Sequence, residues 1–427
     1  MNVLQALLEG INIPRMVKVR QTFPAPVIDD ISGELTLELD RSGVLEKVNS
    51  GMRIAIAVGS RGVAELPTLV AETVKALKSR GADPFIVPAM GSHGGATAEG
   101  QREVLADLGV TEAVVDCPII SSMEVTEIGR LPNGLPVYID RHALGADGII
   151  VINRVKPHTA FRGLCESGLV KMVTIGLGKQ KGAESCHAYG FKCMAEHLLA
   201  MAKISLATAP ILFGIGVVEN AYDRIARIAA VPAEELIAKD QQLLVEAKAN
   251  MAKILFDNID VLVIDEIGKD ISGDGMDPNI TGRYPTPYAH GGPVVSKIVV
   301  LDLTERTHGN ANGMGTADFT TRRLVNKTDF VKTYANGLTS TVVGPTHMPT
   351  VLESDYDAIR AAIKTSNARD LEHVRLVRIK NTQHMGETCV SEALLEDAQS
   401  TAGVTIIDDP APMKFDASGN LADRTTK

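Results

Sequence analysis

The stretch MRIAIAVG at residues 52–59 predicts a buried β-strand, because it is a short, almost wholly apolar run that ends in glycine. Residues 66–80 follow with the apolar spacing of a helix, and Gly81 marks the end of that helix. A second strand at residues 84–90 and a second helix at residues 97–108 repeat the pattern. Two successive strand–helix units indicate a parallel sheet with helices on its faces, so the predicted fold class is α/β.

The same alternation continues beyond this stretch. The further predicted elements are a hairpin at 124–140, strands at 148–152, 211–218, 261–267, 297–303, 374–379 and 404–407, and helices at 233–256, 318–334, 354–365 and 391–398. A new series of strands begins after the helix that ends near residue 255. We therefore predict two α/β domains, residues 1–255 and 256–427, with parallel-rich sheets facing each other across a cleft. In this prediction, the C-terminal tail can fold back onto the first domain.

The composition narrows the classes of partner. The 427 residues are 45% hydrophobic and 22% charged, which is typical of a globular protein with a large core. With 43 basic and 52 acidic residues, the net charge of −9 argues against nucleic acid and membrane surfaces as partners. Five cysteines do not make a disulfide framework, and the first residues do not resemble a signal peptide. We expect a cytoplasmic protein, and a homo-oligomer is compatible with the sequence.

Two short glycine-rich loops follow the first two predicted strands. In VGSRG, at residues 58–62, Ser60 and Arg61 stand where backbone N–H groups and a guanidinium could bind an anion. A tight turn with a solvated arginine explains this loop equally well. In MGSHGGAT, at residues 90–97, His93 is flanked by glycines that offer its side chain little packing. Since ligands bind at the carboxyl ends of parallel strands, both loops are candidate parts of one site.

A longer glycine-rich segment, residues 153–190, follows the predicted strand at 148–152 and contains His158, Lys171 and His187. Long loops in compact domains are usually functional. Three interpretations compete. Residues 176–182 resemble a dinucleotide-binding fingerprint with one spacing too long, and Cys186, His187, Cys193 and His197 could ligate zinc. The third interpretation is a site in which histidines and a lysine surround a separately bound cofactor.

The strings GSHGG at residues 91–95 and KPHTAFRG at residues 156–163, with the lysine and histidine downstream, resemble the nickel-dependent lactate racemase family. Relatives in that family racemise or epimerise other 2-hydroxy acids. The resemblance implies a bound nickel ion held by a nickel-pincer nucleotide, pyridinium-3,5-bisthiocarboxylic acid mononucleotide. It also implies maturation enzymes that make the cofactor, so protein produced without them is expected to be apo.

Matching the family's motifs position by position implies a role for each residue. His93 and His158 match the two catalytic acid/base histidines, Lys171 the lysine that bonds the cofactor, and His187 the nickel ligand. The residues expected to bind the cofactor are Lys171 and Arg61, which the resemblance implies, together with Ser60, Gly91 and Ser92 of the two short glycine-rich loops. The chemistry agrees, because hydride transfer needs an electrophile that no side chain supplies, and imidazole suits both proton transfer and nickel.

The substrate is expected to be a small 2-hydroxy acid. The family's lactate enzymes have a tryptophan near the substrate, whereas this chain has no tryptophan and only 4% aromatic residues. This difference favours a larger hydroxylated substrate, such as a sugar acid. In the second domain, Asn279 and Arg283 lie in a polar loop and are candidate substrate residues, although a loop packed by Asx turns explains them equally well. The alternatives are an NAD(P)-type dehydrogenase or a non-catalytic protein that binds an anionic metabolite.

Overall fold

Two units make up the chain in the computed structural model, which describes residues 3–60 and 62–423. Pro24–Met251 form one unit, here called the inserted unit. The described residues before Pro24 and those from Ala252 onward form the other, here called the outer unit. Sequence reasoning placed the boundary at 255 and residues 1–23 in the first domain, so the structure differs at both points.

Strands and helices are numbered in chain order. The strands are β1 (Met16–Gln21), β2 (Arg53–Val58), β3 (Asp83–Pro88), β4 (Val125–Arg130), β5 (Pro136–Asp140), β6 (Gly148–Arg154), β7 (Ile211–Glu219), β8 (Ile225–Pro232), β9 (Ile259–Ile264), β10 (Val295–Val300), β11 (Phe319–Thr321), β12 (Thr350–Leu352), β13 (Leu376–Ile379), β14 (Glu387–Ser391) and β15 (Val404–Ile406). The helices are α1 (Val3–Leu7), α2 (Ile31–Arg41), α3 (Leu66–Ser79), α4 (Ala98–Asp107), α5 (Glu112–Val115), α6 (Arg141–Leu144), α7 (Leu169–Lys171), α8 (Lys179–His187), α9 (Met194–Thr208), α10 (Leu236–Asn250), α11 (Pro278–Thr281), α12 (Arg322–Lys327), α13 (Phe330–Ser340), α14 (Asp355–Thr365) and α15 (Leu395–Ser400). A π-helical turn, Met172–Gly176, joins α7 to the segment before α8.

The inserted unit contains a sheet with strand order β3-β2-β6-β7-β8. The first four strands are mutually parallel, and β8 runs antiparallel to β7. Residues Ile54–Val58 of β2 are completely buried because the sheet is covered on both faces, which explains the continuous apolar run. The hairpin β4–β5 forms a small sheet of its own. The predicted α/β class, the first two strand–helix units and the hairpin are confirmed.

An eight-stranded sheet of order β12-β11-β10-β9-β13-β14-β1-β15 forms the core of the outer unit. Strands β12 to β13 in this order are parallel, whereas β14, β1 and β15 pair antiparallel. Strand β1 lies between β14 and β15, with Val17 opposite Val390 and Val19 opposite Ile406. This pairing is the reason that the start of the chain belongs to the outer unit.

The predicted helix at 318–334 is wrong. Its first part is strand β11, which pairs with β10 and β12, and two helices, α12 and α13, follow it. The break is local: Thr321 Oγ1 accepts a hydrogen bond from Leu324 N, and Asp329 caps α13 through Lys332 N. Strand β8 was not predicted at all. None of the helices in the described part of the chain combines the length and apolar character needed to cross a membrane.

Candidate active site

Three loops of the inserted unit leave the carboxyl ends of neighbouring parallel strands. Ser60 follows β2, His93 follows β3 and His158 follows β6, and β2 lies between the other two strands in the sheet. Because parallel strands end at a common edge, the loops emerge side by side. Ser60 Oγ is hydrogen-bonded to His93 Nδ1, so the first two loops meet as the sequence predicts.

The loop after β3 depends on glycine and on a buried glutamine. Gly91 has a φ of +61°, and a Cβ there would lie 3.1 Å from Ile175 Cγ2. Gln101 Nε2 donates hydrogen bonds to the backbone oxygens of Gly91 (3.0 Å) and His93 (3.2 Å). The backbone is therefore held on both sides of Ser92, while the His93 side chain is exposed.

The loop after β6 is organised around the buried carboxylate of Glu166. This carboxylate accepts hydrogen bonds from His158 N (2.7 Å) and Lys248 Nζ (2.7 Å), and its side chain has no exposed area. Arg162 Nη1 lies 3.2 Å from the same carboxylate. The imidazole of His158 is fixed separately, because Ala160 N donates to its Nδ1 at 3.0 Å. Nδ1 thus acts as an acceptor, and the neutral ring carries its proton on Nε2.

Lys171 and His187 lie on the helical segment that follows. Asp240, a fully buried residue of α10, caps its start by accepting a hydrogen bond from Leu169 N at 2.6 Å. Burial raises the pKa of Asp240 to about 6. The π-helical turn begins directly after Lys171, and such turns are often found at functional sites.

His187, at the end of α8, has the features of a neutral imidazole ligand. Its Nδ1 donates to Ala183 O at 2.6 Å, which leaves Nε2 as the nitrogen available to a metal. Burial lowers the pKa of His187, and the positive charge of Lys171 lowers this pKa further. Both effects favour the uncharged ring that can coordinate a metal.

Close packing joins these segments into one site. A Cβ at Gly59 would lie 2.8 Å from Met172 Cε, so the loop after β2 approaches the residue that follows Lys171. A Cβ at Gly91 would lie 3.7 Å from Ala183 Cβ, so the loop after β3 approaches α8. His158 and His187 both pack against the ring of Phe191. The centroid of this ring lies 5.9 Å from that of His158 and 5.5 Å from that of His187.

Residues 28–198, which contain all of these histidines and Lys171, match the family model described as the lactate racemase N-terminal domain. The resemblance read from the sequence motifs is therefore confirmed. Among solved structures, the chain is similar to the lactate racemase apoprotein from Thermoanaerobacterium thermosaccharolyticum, with 16% identity, a TM-score of 0.45, and coverage of 86% of this chain and 89% of that chain. A search of curated proteins found no match.

The remaining sequence-predicted residues lie outside residues 28–198 or outside the described residues. Arg61 is one of the residues that the structure does not describe. Asn279, in the outer unit, donates to Asp277 Oδ1 from both its backbone N (2.9 Å) and its Nδ2 (2.8 Å). Arg283 donates to Asp318 Oδ2 (2.9 Å) and to three backbone oxygens. The Asn279 contacts are the Asx turn that the sequence left as the alternative, whereas Arg283 is held by residues outside its own loop. Both residues stay predictions as substrate residues.

Two other interpretations of residues 153–190 do not fit the local fold of this segment. Residues 176–182 follow a π-helical turn rather than a strand, so they lack the strand–turn–helix context of a dinucleotide-binding loop. The thiol of Cys186 is buried, which raises its pKa to about 12 and disfavours the thiolate that binds zinc. The described residues contain no group of three His, Cys, Asp or Glu placed to hold a metal.

Sequence reasoning missed several residues that organise the candidate site in the inserted unit. They are Gln101, Glu166, Phe191 and Asp240. Each is a common residue type on a helix or loop, without a motif of its own. For Gln101 and Asp240 the available signal was an amide or carboxylate on the apolar face of a helix, and Glu166 and Phe191 offered no such signal.

Proposed function

We propose that this protein is a racemase or epimerase that inverts C2 of a 2-hydroxy acid, with a nickel-pincer nucleotide as its cofactor. The observation that carries the proposal is that His158 and His187 pack on one phenylalanine, and that the His93 loop packs on the helix of His187, within the segment that matches the lactate racemase N-terminal domain. This chemistry requires two acid/base groups, a lysine and a neutral imidazole ligand.

The residues present fit such a cofactor. His187 would ligate nickel through Nε2, since its Nδ1 is occupied by Ala183 O and its ring is held neutral. Lys171 is close enough for its charge to act on His187, and would bond or pair with the nucleotide. The backbone at Gly59 and Gly91 packs closely against this segment, so a Cβ at either position would require Met172 or Ile175 to shift, and this close packing keeps the loops next to the lysine and the metal ligand.

When bound, the pyridinium ring of the cofactor supplies the hydride acceptor that amino-acid side chains lack. His93 and His158 would accept and return the hydroxyl proton of the substrate. The Ser60 hydroxyl can either donate to or accept from His93 Nδ1, so His93 Nε2 can take up or release a proton. The hydrogen bond from Ala160 N to Nδ1 holds neutral His158 with its proton on Nε2, so Nε2 can donate a hydrogen bond to the substrate hydroxyl.

Two acid/base groups are needed because the two configurations at C2 present their hydroxyl groups from different sides. For His158 to act as the base, its hydrogen bond from Ala160 N must be given up. We therefore infer that His93 serves as the base more readily, and that the two directions of the reaction differ in their dependence on pH.

We further propose a sugar acid or another hydroxylated 2-hydroxy acid as the substrate. The support is the complete absence of tryptophan, which removes the large ring found near the substrate of the family's lactate enzymes. A pocket without that ring has room for a longer hydroxylated chain.

The test is to produce the protein together with cofactor maturation enzymes and to measure its nickel content and intact mass. We expect about one nickel per chain, a mass increase from the nucleotide, and interconversion of the C2 epimers of a sugar acid, followed by chiral chromatography. A nickel-free, nucleotide-free protein from this co-expression would refute the pincer assignment. Binding of free NAD(P) without nickel would favour a dehydrogenase, and ligand binding without any turnover would favour a metabolite-binding protein.

A further inference from the structure

Lys179 is a buried lysine that the proposed chemistry does not use. Its side chain and that of Asp140 have no exposed area, and Lys179 Nζ lies 3.3 Å from Asp140 Oδ2. Nζ also donates to Pro88 O and, at 3.1 Å, to Gln101 Oε1. Of the three N–H donors of the ammonium, two find acceptors in Pro88 O and Gln101 Oε1, and Asp140 supplies the opposite charge. A buried charge is tolerated only when it is paired and hydrogen-bonded in this way.

The contact with Gln101 determines which end of the glutamine amide faces the His93 loop. Lys179 can only donate, so it requires Oε1 of Gln101 on its own side. The Nε2 group is thereby directed to the backbone oxygens of Gly91 and His93. The opposite orientation would place Oε1 against two carbonyl oxygens, which is repulsive. Gln101 has no exposed area, so water cannot take over either role.

Lys179 is also the first residue of α8, the helix that ends at His187. Its backbone has a φ of +54°, a left-handed conformation that is uncommon for residues other than glycine. Such conformations persist where the surrounding contacts enforce them, and they are concentrated at functional sites. The side chain therefore links the start of the metal-ligand helix to the end of β3, where the His93 loop begins.

We infer that Lys179 is a positioning residue, which acts through Gln101 to hold the His93 loop in a fixed relation to the helix that carries His187. The inference rests on the proposed function for the roles of His93 and His187. Lys179 itself is too deeply buried to touch a substrate.

Two variants and a control test this inference. Lys179→Met removes all three donors at nearly constant length, and Gln101→Leu removes the amide but leaves the Lys179–Asp140 pair. Lys181→Met is the control, because Lys181 is an exposed lysine of the same helix. In apo protein, we expect hydrogen–deuterium exchange of residues 89–97 to accelerate about tenfold in both test variants, because the loop then opens locally more often, and to stay unchanged in the control.

In nickel-loaded protein, the same variants should lower kcat by about 10²-fold with little change in KM, because a misplaced acid/base group slows the chemical step without removing a substrate contact. Folded variants with wild-type exchange and wild-type kcat would overturn the inference. If Lys179→Met does not fold, Gln101→Leu provides the same readouts. If the nickel-loaded wild type has no racemase activity but the two variants still exchange faster than the wild type, the proposed function is refuted and the loop-positioning role of Lys179 remains supported.

Discussion

The imidazole of His187 stands edge-on to the ring of Phe191, with 5.5 Å between the ring centroids and an interplanar angle of 81°. His158 packs against the same phenylalanine at 5.9 Å and 44°. One aromatic side chain therefore sets the position of a candidate acid/base group and of a candidate metal ligand. Aromatic pairs of this geometry contribute about 0.5–1.5 kcal/mol each beyond their buried area.

Substituting Phe191 should disturb both histidines at once. In Phe191→Leu the ring that orients them is lost while most of the apolar volume remains, so we expect less nickel per chain and slower racemisation. Phe213→Leu is the matched control, because Phe213 is a buried core residue of the same unit. Both variants should lose some thermal stability, measured by the unfolding midpoint. Full nickel occupancy and activity in Phe191→Leu would show that the shared ring does not position the histidines.

The three site histidines should separate into two classes. His187→Ala is expected to lose nickel, as measured by metal analysis, because no other nitrogen replaces its Nε2. His93→Ala and His158→Ala should retain nickel but lose interconversion by about 10²–10⁴-fold, the usual contribution of a general acid or base. His142→Ala, in the same unit, serves as the control. Retained activity in His93→Ala would remove that residue from its proposed role.

Glu166 should be important for both stability and activity, since its buried carboxylate holds the His158 loop. Glu166→Ala removes the partner of Arg162 and Lys248 and leaves the backbone N–H of His158 without its acceptor, and an unsatisfied buried donor costs about 1–3 kcal/mol. We expect a lower unfolding midpoint and a lower kcat. Glu184→Gln, an exposed carboxylate on α8, should change neither. A Glu166→Ala protein as stable and active as the wild type would contradict this account of the loop.

The stability of the inserted unit should depend on pH through Asp240. Its pKa in the folded protein is about 6, above the ordinary value of 3.8, because burial disfavours the charged form. The folded state thus binds more protons at Asp240 than the unfolded state between these values, so the contribution of Asp240 to stability is greatest at low pH and is lost as pH rises through about 4 to 6. The difference of about two pKa units corresponds to about 3 kcal/mol.

Asp240→Asn keeps an oxygen for Leu169 N but cannot ionise, so this part of the pH dependence should disappear. Thermal unfolding midpoints across that pH range measure the effect, with Glu246→Gln, a less buried carboxylate on the same helix, as the control. An identical pH dependence in wild type and Asp240→Asn would show that Asp240 does not titrate in this window.

Local sequence patterns were sufficient to predict many of the strands and helices of the inserted unit. The strand–helix units from residue 52 to residue 108 form as predicted, because a fully buried parallel strand needs a continuous apolar run and a helix needs its caps. The contact between Ser60 and His93 follows from the same reasoning, since neighbouring parallel strands end at one edge of the sheet. At Phe319–Thr321 the sequence pattern favours a helix, but pairing with β10 and β12 makes the segment a strand.

By itself, the sequence determined the α/β class, the strand ends that bear Ser60, His93 and His158, and the Lys171-to-His187 spacing that resembles a nickel-pincer site. Only the tertiary structure decided which distant residues support them. Glu166 binds Lys248, Asp240 caps the helix of Lys171, and β1 joins the outer sheet. The physical reason is that hydrogen bonds and burial between residues far apart in the chain depend on packing, whereas strands, helices and their caps depend on neighbours in sequence.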